Sequence, residues 1–418
     1  MILTKVHSVR MSAFLTSQLY DDNSGDASDI IYCDHHATTP VDPLVLEAML
    51  PYFTKCFANP SSYSYALGRT AKLVVDQARA DIARAINANP SEIIFTSGAT
   101  EANNLAIKGI AEAYCDKGRH LITVATEHRA VLEPLQYLSN LGFRATVLPV
   151  QKDGLVELEQ LQSAIRPDTI MISIMIANNE IGVIQPIEKI SKIAHSHGVL
   201  LHTDAAQAIG KIPLDVQSLS IDLMSLTSHK VYGPKGIGAL YVNKNSKICL
   251  APQIQGGGQE FNLRSGTLNV PLIVGFAKAI DLALNRMNDD TIHLTKIRDY
   301  LWQNLCAGIP DLILNGSLDN RLPGNLNVSI PGVDGVALLL SLRDEIAVSS
   351  GSACSAGKPS HVLLALGHTE TLAQASLRFG LGRSNTLNQM NRVASKVIKT
   401  VHSLRHLSGY LPGTHKTD

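Results

Sequence analysis

The sequences VLLHTDAAQ, residues 199–207, and DLMSLTSHKVYGPKG, residues 222–236, carry the pattern that decides the fold. Each contains a short strand that is apolar on both faces and runs directly into polar side chains. Strands of this kind are typical of a parallel sheet with helices on both faces. Asp204 follows the first strand, and Lys230 follows the second 26 residues later, which leaves room for one helix and one strand. The pattern predicts an α/β fold with both side chains at one edge of the sheet.

The chain up to about residue 280 repeats this alternation of strands and helices. Runs rich in Ile, Leu and Val predict the strands, and apolar residues spaced three and four apart predict the helices. An alternation of this kind is typical of the α/β class with a mainly parallel sheet. The predicted strands are 93–95, 120–125, 144–149, 170–176, 199–203, 223–227 and 238–242, and the predicted helices are 44–53, 69–86, 103–114, 130–140, 155–165 and 187–197.

Beyond residue 280 the pattern indicates a second, smaller α+β domain. Residues 1–30 are polar and irregular and are predicted to be a disordered leader, and the tail 408–418 is predicted to fray. The predicted elements of the second domain are a helical run over 274–284 and 292–305, strands 325–330 and 347–349, and helices 336–341, 361–366 and 388–404.

Composition excludes several classes of protein. The 418 residues carry 36 Lys and Arg against 36 Asp and Glu, and a net charge of zero argues against nucleic acid or an anionic membrane as partner. The apolar stretches fall far short of the roughly 20 residues of a membrane span. Six cysteines without a C-x-x-C pair form no metal motif and favour a reducing compartment, the cytoplasm. An organelle-targeting role for residues 1–30 is the alternative.

Polar residues collect where the predicted strands end, which is where ligands bind in such a sheet. The turn Ser97–Thr100 opens a helix and suits a phosphate, because free N–H groups there point at an anion. Together with this turn, three side chains fit pyridoxal phosphate. Asp204 would keep the ring nitrogen protonated, the Lys230 amine would react with the aldehyde, and His128 would move protons over the ring face. Taken singly, each residue has an ordinary explanation as a capping or loop residue.

Two further segments are rich in glycine and small residues. The segment 256–267 is either a loop that approaches a phosphate closely or a flexible connection. Cys354 lies among Gly, Ser, Ala and Pro, which predicts an exposed loop and a reactive thiol. A loop also suits a thiol that must visit a substrate and then a distant acceptor. The other five cysteines stand in or beside apolar segments and are predicted to be packing residues.

Eight ordered motifs resemble those of the cysteine desulfurases, which belong to the class-V aminotransferase group of fold-type I pyridoxal-phosphate enzymes. The resemblance runs from about residue 31 to residue 405. The Ser-Gly-Ser-Ala-Cys run resembles the branch that serves general iron–sulfur assembly and sulfur transfer. The motifs are Tyr32-x-Asp34-x-x-Ala37-Thr38-Thr39-Pro40, Ser97-Gly98-Ala99-Thr100-Glu101, Thr126-Glu127-His128, Asn178-Asn179-Glu180-Ile181-Gly182, Asp204-Ala-x-Gln207, His229-Lys230-x-Tyr232-Gly233-Pro234-Lys235-Gly236, Arg264-Ser265-Gly266-Thr267 and Ser349-Ser350-Gly351-Ser352-Ala353-Cys354.

The resemblance implies a role for each site residue. Lys230 would hold the cofactor covalently, His128 would act as acid or base, and Cys354 would take the substrate sulfur as a persulfide. Asn179 and Arg378 would hold the substrate carboxylate, which the planar fork of an arginine matches. The implied cofactor contacts are Asp204 with the ring nitrogen, Gln207 with the phenolic oxygen, Thr100, Thr227, His229 and the Ala99 backbone with the phosphate, Thr267 with the phosphate in the partner subunit, and Asn179 and Lys230 in the same site.

The implied reaction converts L-cysteine to L-alanine and passes the persulfide sulfur to acceptors for iron–sulfur assembly or thiolation. The resemblance also implies a homodimer. It places a large domain at about 40–280 and a small domain that combines 31–39 with 281–407.

Three alternatives remain open at this stage. They are a selenocysteine lyase or a cysteine-sulfinate-preferring relative, a transaminase of the same group, and a cofactor-binding scaffold or regulator without catalysis. The loop after Cys354 is about two residues shorter than is usual in the family, and the C-terminal end does not resemble the segment with which some relatives dock a scaffold protein.

Overall fold

The computed structural model describes residues 30–351 and 359–410. Short β-strands are spread over both ranges. They are β1 (Ile31–Tyr32), β2 (Ile93–Thr96), β3 (His120–Val124), β4 (Arg144–Leu148), β5 (Thr169–Ser173), β6 (Leu200–Asp204), β7 (Leu223–Thr227), β8 (Gly238–Val242), β9 (Ile313–Leu314), β10 (Asn325–Ser329), β11 (Ile346–Ala347) and β12 (Ser376–Gly380).

Helices connect most of these strands. The α-helices in the same ranges are α1 (Pro43–Met49), α2 (Pro51–Thr54), α3 (Ala66–Ala85), α4 (Ala99–Ala113), α5 (Arg129–Ser139), α6 (Leu158–Ala164), α7 (Ile187–Ser196), α8 (Val270–Gly308), α9 (Gly335–Leu342), α10 (His361–Ala365), α11 (Glu370–Gln374) and α12 (Leu387–Ser408).

The central sheet has seven strands in the order β2-β8-β7-β6-β5-β3-β4. Strands β7, β6, β5, β3 and β4 are parallel to one another, and β8 is antiparallel to both of its neighbours. Helices α4 and α5 pack on one face of this sheet, and α3, α7 and the first half of α8 pack on the other. This arrangement explains why the strands are apolar on both faces, and it confirms the predicted α/β class.

A second group of elements has its own core. Strands β12, β10 and β9 form an antiparallel sheet, and β1 pairs in parallel with β11. Helix α8 joins the two cores, because Ile273 and Phe276 pack in the first and Leu301 and Leu305 pack in the second. The small sheet places Arg378, on β12, toward the segment that follows β5.

Most elements begin or end a few residues from their predicted bounds, and three of the differences concern where an element breaks, ends or continues. The helix predicted over 44–53 is divided at Pro51, whose nitrogen has no hydrogen to donate. Strand β5 ends at Ser173, although Ile174 N–H still donates to the His202 carbonyl of β6. The two helices predicted over 274–284 and 292–305 are one continuous helix, because the polar stretch between them contains neither Gly nor Pro.

Within the residues that the structure describes, no helix is long and apolar enough to span a membrane.

Candidate active site

A cleft of about 540 Å³ opens at the carboxyl ends of the parallel strands. Strands β6 and β7 are neighbours, with Asp204 opposite Ser225, so Asp204 and the Lys230 turn lie side by side. Nine of the residues predicted from the sequence line this one cleft, and they are Ala99, Thr100, His128, Asn179, Asp204, Gln207, Thr227, His229 and Lys230.

The turn between β2 and α4 forms one end of the cleft. Gly98 has a φ of 153°, a conformation that side chains disfavour, and a Cβ on Gly238 would lie 2.7 Å from the Gly98 Cα. The Glu101 carboxylate accepts from the Ser97 N–H at 2.8 Å and from Arg264 Nε at 2.7 Å, so it braces the turn. Backbone N–H groups at the start of α4 and the hydroxyl of Thr100 remain at the cleft, a donor set suited to a phosphate.

Asp204 forms the floor of the cleft and is held by two donors. The Ala206 N–H donates to Oδ1 at 2.8 Å, and Asn103 Nδ2 donates to Oδ2 at 2.7 Å. Asn103 is fully buried on α4. Asn103 is not among the predicted site residues, although a polar residue on the sheet-facing side of an apolar helix is a signal that the sequence carries. The carboxylate is therefore oriented as a fixed negative charge, which matches a protonated pyridine nitrogen.

His128 caps α5 and faces the same cleft. Its Nδ1 accepts the Ala130 N–H at 3.0 Å, so the proton of the neutral ring is on Nε2. Burial is the main factor that lowers the pKa of His128, and the positive charge of Lys230 lowers it further. The ring is therefore neutral at physiological pH and able to accept a proton.

The backbone around Lys230 is anchored by the segment after β1. The His229 carbonyl accepts from the Thr39 N–H at 2.9 Å and from the Thr39 hydroxyl at 3.0 Å, and His229 Nδ1 lies 3.1 Å from the Thr38 hydroxyl. Burial and the nearby charges of Lys230 and Lys235 lower the pKa of His229 to about 4. His229 is therefore neutral near pH 7, and its ring contributes to the site as a hydrogen-bonding group without a positive charge.

Arg378 lies behind the cleft and does not line it. Its Nη2 donates to Asp34 Oδ1 at 2.7 Å and to Ser349 Oγ at 3.2 Å, and its Nη1 donates to the Asn179 carbonyl at 3.2 Å. Its Nε is buried without a hydrogen-bond partner within the described part of the chain. Asn179 itself lines the cleft, so Arg378 contacts a residue of the cleft wall without being part of that wall.

The remaining two predicted site residues lie elsewhere. Thr267 is exposed and is not part of the lining of this chain's own cleft. Cys354 lies outside the described residues, as do the predicted leader and most of the predicted tail. The flanks of the Cys354 segment are described: Ser349 contacts Arg378, and Ser360 donates to Glu180 Oε2 at 2.5 Å. Both flanks thus lie beside residues that adjoin the cleft.

The packing prediction for the other cysteines holds only in part. Cys33 is buried and Cys56 and Cys115 are partly buried, but Cys249 and Cys306 are exposed. Cys249 follows β8 in an open loop, and Cys306 lies on the outer side of α8, so apolar sequence neighbours did not bury them.

The chain matches the family model described as aminotransferase class-V over residues 31–393. This match covers most of the chain and agrees with the sheet and cleft described above. The protein therefore belongs to the class-V aminotransferase family.

Individual relatives narrow this assignment. Cysteine desulfurase IscS of Anaeromyxobacter sp. (strain Fw109-5) is 50% identical over 380 residues, which covers 90% of this chain and 94% of that protein. Cysteine desulfurase IscS of Rickettsia bellii (strain OSU 85-389) is 49% identical, with coverage of 90% and 92%. Within the family, the chain is a member of the cysteine desulfurases.

Comparison with solved structures supports the same family assignment. A NifS-like protein superimposes with a TM-score of 0.84 and 38% identity over 90% of this chain and 100% of that chain. SspA in complex with cysteine superimposes with a TM-score of 0.75 and 41% identity, over 84% of this chain and 98% of that chain.

Proposed function

We propose that this enzyme converts L-cysteine to L-alanine with pyridoxal phosphate in the cleft, and that Cys354 receives the sulfur. The observation that carries the proposal is the convergence of Lys230, Asp204 and His128 on one cleft at the sheet edge. Similarity to a solved complex that contains cysteine supports cysteine as the substrate.

The residues present fit pyridoxal phosphate. The donors at the start of α4 suit its phosphate, the oriented Asp204 carboxylate suits its ring nitrogen, and the Lys230 amine suits its aldehyde. When bound, the cofactor supplies a cationic ring that withdraws electrons from the substrate carbon. The family to which the chain belongs depends on this cofactor.

The side chains of the cleft have different roles in the proposed reaction. His128, neutral and hydrogen-bonded through Nδ1 to the backbone, presents Nε2 for proton transfer above the ring site. Lys230 would hold the cofactor covalently through its side-chain amine in the resting enzyme. Asn179 and Arg378 would bind the substrate carboxylate, Arg378 with its Nε, which lacks a partner within the described residues.

Cys354 completes the reaction as the sulfur acceptor. Its thiolate attacks the substrate sulfur, the sulfur–carbon bond breaks, and the electron pair goes to the carbon, which takes a proton and becomes the methyl group of alanine. Cys354 keeps the sulfur as a persulfide. The sulfur then passes to an acceptor protein for iron–sulfur assembly or thiolation.

We also propose that the protein acts as a homodimer. The exposed Thr267 then reaches the cofactor phosphate of the second subunit. The stretch 44–57 supports this, because it carries large apolar side chains of which about half or more is exposed. They are Leu44, Leu46, Leu50, Phe53 and Phe57.

The division into a large domain at 40–280 and a small domain of 31–39 with 281–407 remains a proposal, supported by the two separate cores. The cytoplasmic location predicted from the sparse cysteines also remains a proposal.

The test uses full-length protein loaded with pyridoxal phosphate and supplied with L-cysteine and a reductant. We expect alanine from the wild type and from Cys249→Ser, which removes another exposed thiol, and almost none from Lys230→Ala or Cys354→Ser. Without reductant, mass spectrometry should find one added sulfur atom on Cys354. Alanine release by Cys354→Ser at the wild-type rate would falsify the assignment.

A further inference from the structure

The carboxamide of Gln207 is enclosed by two side chains that the proposed reaction does not use. Its Oε1 accepts from Lys211 Nζ at 2.8 Å and lies 2.9 Å from His36 Nδ1. Its Nε2 donates to the His36 carbonyl at 2.8 Å. His36 and Gln207 are both almost completely buried, so water does not compete for these bonds.

Lys211 decides which way this amide faces. In its charged form Lys211 is an ammonium group that can only donate hydrogen bonds, so the atom that it contacts in that form is the amide oxygen. His36 Nδ1 contacts the same oxygen and must therefore carry a hydrogen in this arrangement. Both lone pairs of Oε1 are thus occupied, and one hydrogen of Nε2 remains. Because Gln207 lines the cleft, that hydrogen is what the residue offers to a ligand.

Lys211 and Lys230 share a second, smaller space. A cavity of about 40 Å³ lies behind Lys230 and is lined by both lysines and by His36. Lys230 also lines the cleft, so it stands between the two spaces, with Lys211 on the side away from the substrate. A positive charge on Lys211 therefore disfavours a second positive charge on the Lys230 nitrogen, and it does so from the side away from the cleft.

The surroundings of Lys211 oppose its charge. Loss of water and the like charges of Lys230 and Arg378 lower the pKa of Lys211 to about 7. Asp290, which also lines the cavity, is bonded to Arg383 Nε at 2.6 Å. The charged and titratable groups that line the cavity with Lys211 or act on it are Lys230, Arg378, Arg383, Asp290, Tyr232, His35, His36 and His229.

We propose that Lys211 is a positioning residue with two effects on this site, an inference that rests on the proposed function. With His36, it holds Gln207 as a hydrogen-bond donor toward the phenolic oxygen of pyridoxal phosphate. Its positive charge also makes the Lys230 nitrogen harder to protonate.

The test is a pH titration of the visible absorption of the bound cofactor in the purified holoenzyme. This absorption reports protonation of the nitrogen that joins Lys230 to the cofactor. We expect Lys211→Met to move the midpoint upward by about one pH unit, because a neighbouring like charge has been removed. Lys211→Arg keeps the charge and should restore most of the wild-type midpoint.

Two further variants separate the effects. Lys192→Met removes a lysine whose side chain is 72% exposed and should leave the midpoint unchanged. Gln207→Leu removes the amide, and adding Lys211→Met to it should shift the midpoint less than Lys211→Met shifts it in the wild type. A Lys211→Met enzyme that binds the cofactor normally and titrates like the wild type overturns the proposal. Equal shifts for Lys211→Met and Lys211→Arg overturn the role of charge.

A measurement on cofactor-free protein distinguishes this proposal from the proposed function. A lysine with a pKa of about 7 in the folded protein and about 10.4 in the unfolded chain makes unfolding take up a proton between these values. The thermal midpoint should therefore rise with pH across this window in the wild type and rise less in Lys211→Met. Equal pH dependence overturns the argument that Lys211 is buried beside the like charge of Lys230, whereas failure of the wild type to bind pyridoxal phosphate overturns only the proposed function.

Discussion

Two buried arginines, Arg79 on α3 and Arg378 on β12, differ in what their guanidinium nitrogens contact. Arg79 holds Glu260 through two nitrogens, at 2.5 and 2.7 Å, and donates to the Ile93 carbonyl at 2.6 Å. Its guanidinium also stacks 4.5 Å from the Phe95 ring centre. Arg378 holds Asp34 through one nitrogen, and its buried Nε lacks a partner in the described ranges.

This difference separates a structural arginine from one that is ready for a ligand. Glu260 begins a turn, Glu260–Asn262, in which all three residues have positive φ, a conformation that the Arg79 pair holds in place. A buried donor without an acceptor costs about 1–3 kcal/mol of folding free energy. Arg378 Nε therefore destabilises the protein unless another group accepts its hydrogen bond. The substrate carboxylate is the group we propose.

Replacement of Arg79 should have the largest effect, and on stability. Arg79→Met leaves the Glu260 carboxylate buried without its partner, which costs about 3–5 kcal/mol in the free energy of unfolding. Urea denaturation followed by circular dichroism measures this loss. Arg84→Met, whose side chain is 72% exposed, is the control and should cost at most about 1 kcal/mol. Similar losses in the two variants would remove the basis of the comparison.

Replacement of Arg378 should act on catalysis instead. Arg378→Lys keeps the charge but loses the planar fork, and we expect kcat/KM for L-cysteine to fall about 100-fold, mainly through a higher KM. Initial rates of alanine formation measure this change, and Arg343→Lys at an exposed position serves as control. An unchanged KM would contradict a role for Arg378 in substrate binding.

Removal of the contact between Ser349 and Arg378 should lower kcat/KM in the same way as Arg378→Lys, but by less. Ser349→Ala deletes the hydroxyl that accepts from Arg378 Nη2 at 3.2 Å. A hydrogen bond to a charged group contributes about 1.5–3 kcal/mol, most of it to folding, because this bond is present with or without substrate. The remaining loss of orientation should lower kcat/KM about threefold, which corresponds to about 0.6 kcal/mol. A decrease as large as that of Arg378→Lys would mean that Ser349 does more than orient the guanidinium.

The smallest expected effect is the pH dependence near neutrality. Burial and Lys230 favour neutral His128, so its pKa lies below the ordinary value of about 6.5 and protonation removes the base only in more acidic solution. The rate should be nearly constant above about pH 7 as far as His128 is concerned, and His128→Gln should abolish the acidic limb. An acidic limb centred above pH 7 in the wild type would contradict this assignment.

The residues that follow strands were predictable because strand ends are local features. Asp204, His128 and Lys230 each stand directly after an apolar run, and a parallel sheet brings such ends to one edge. Asn103, Asp34 and Lys211 were not assigned a role, because nothing near them in the sequence indicates their partners. Asn103 reaches Asp204 across 101 residues, and Arg378 reaches Asp34 across 344.

The sequence by itself determined the fold class, the family and the chemical groups at the strand ends, because hydrophobic periodicity and ordered motifs are written along the chain. Only the tertiary structure decided that Arg79 pairs with Glu260 through two nitrogens, that the buried Nε of Arg378 has no partner among the described residues, and that Lys211 lies behind Lys230. These properties depend on strand order and on contacts between distant segments, which fix how many donors and acceptors each buried side chain meets.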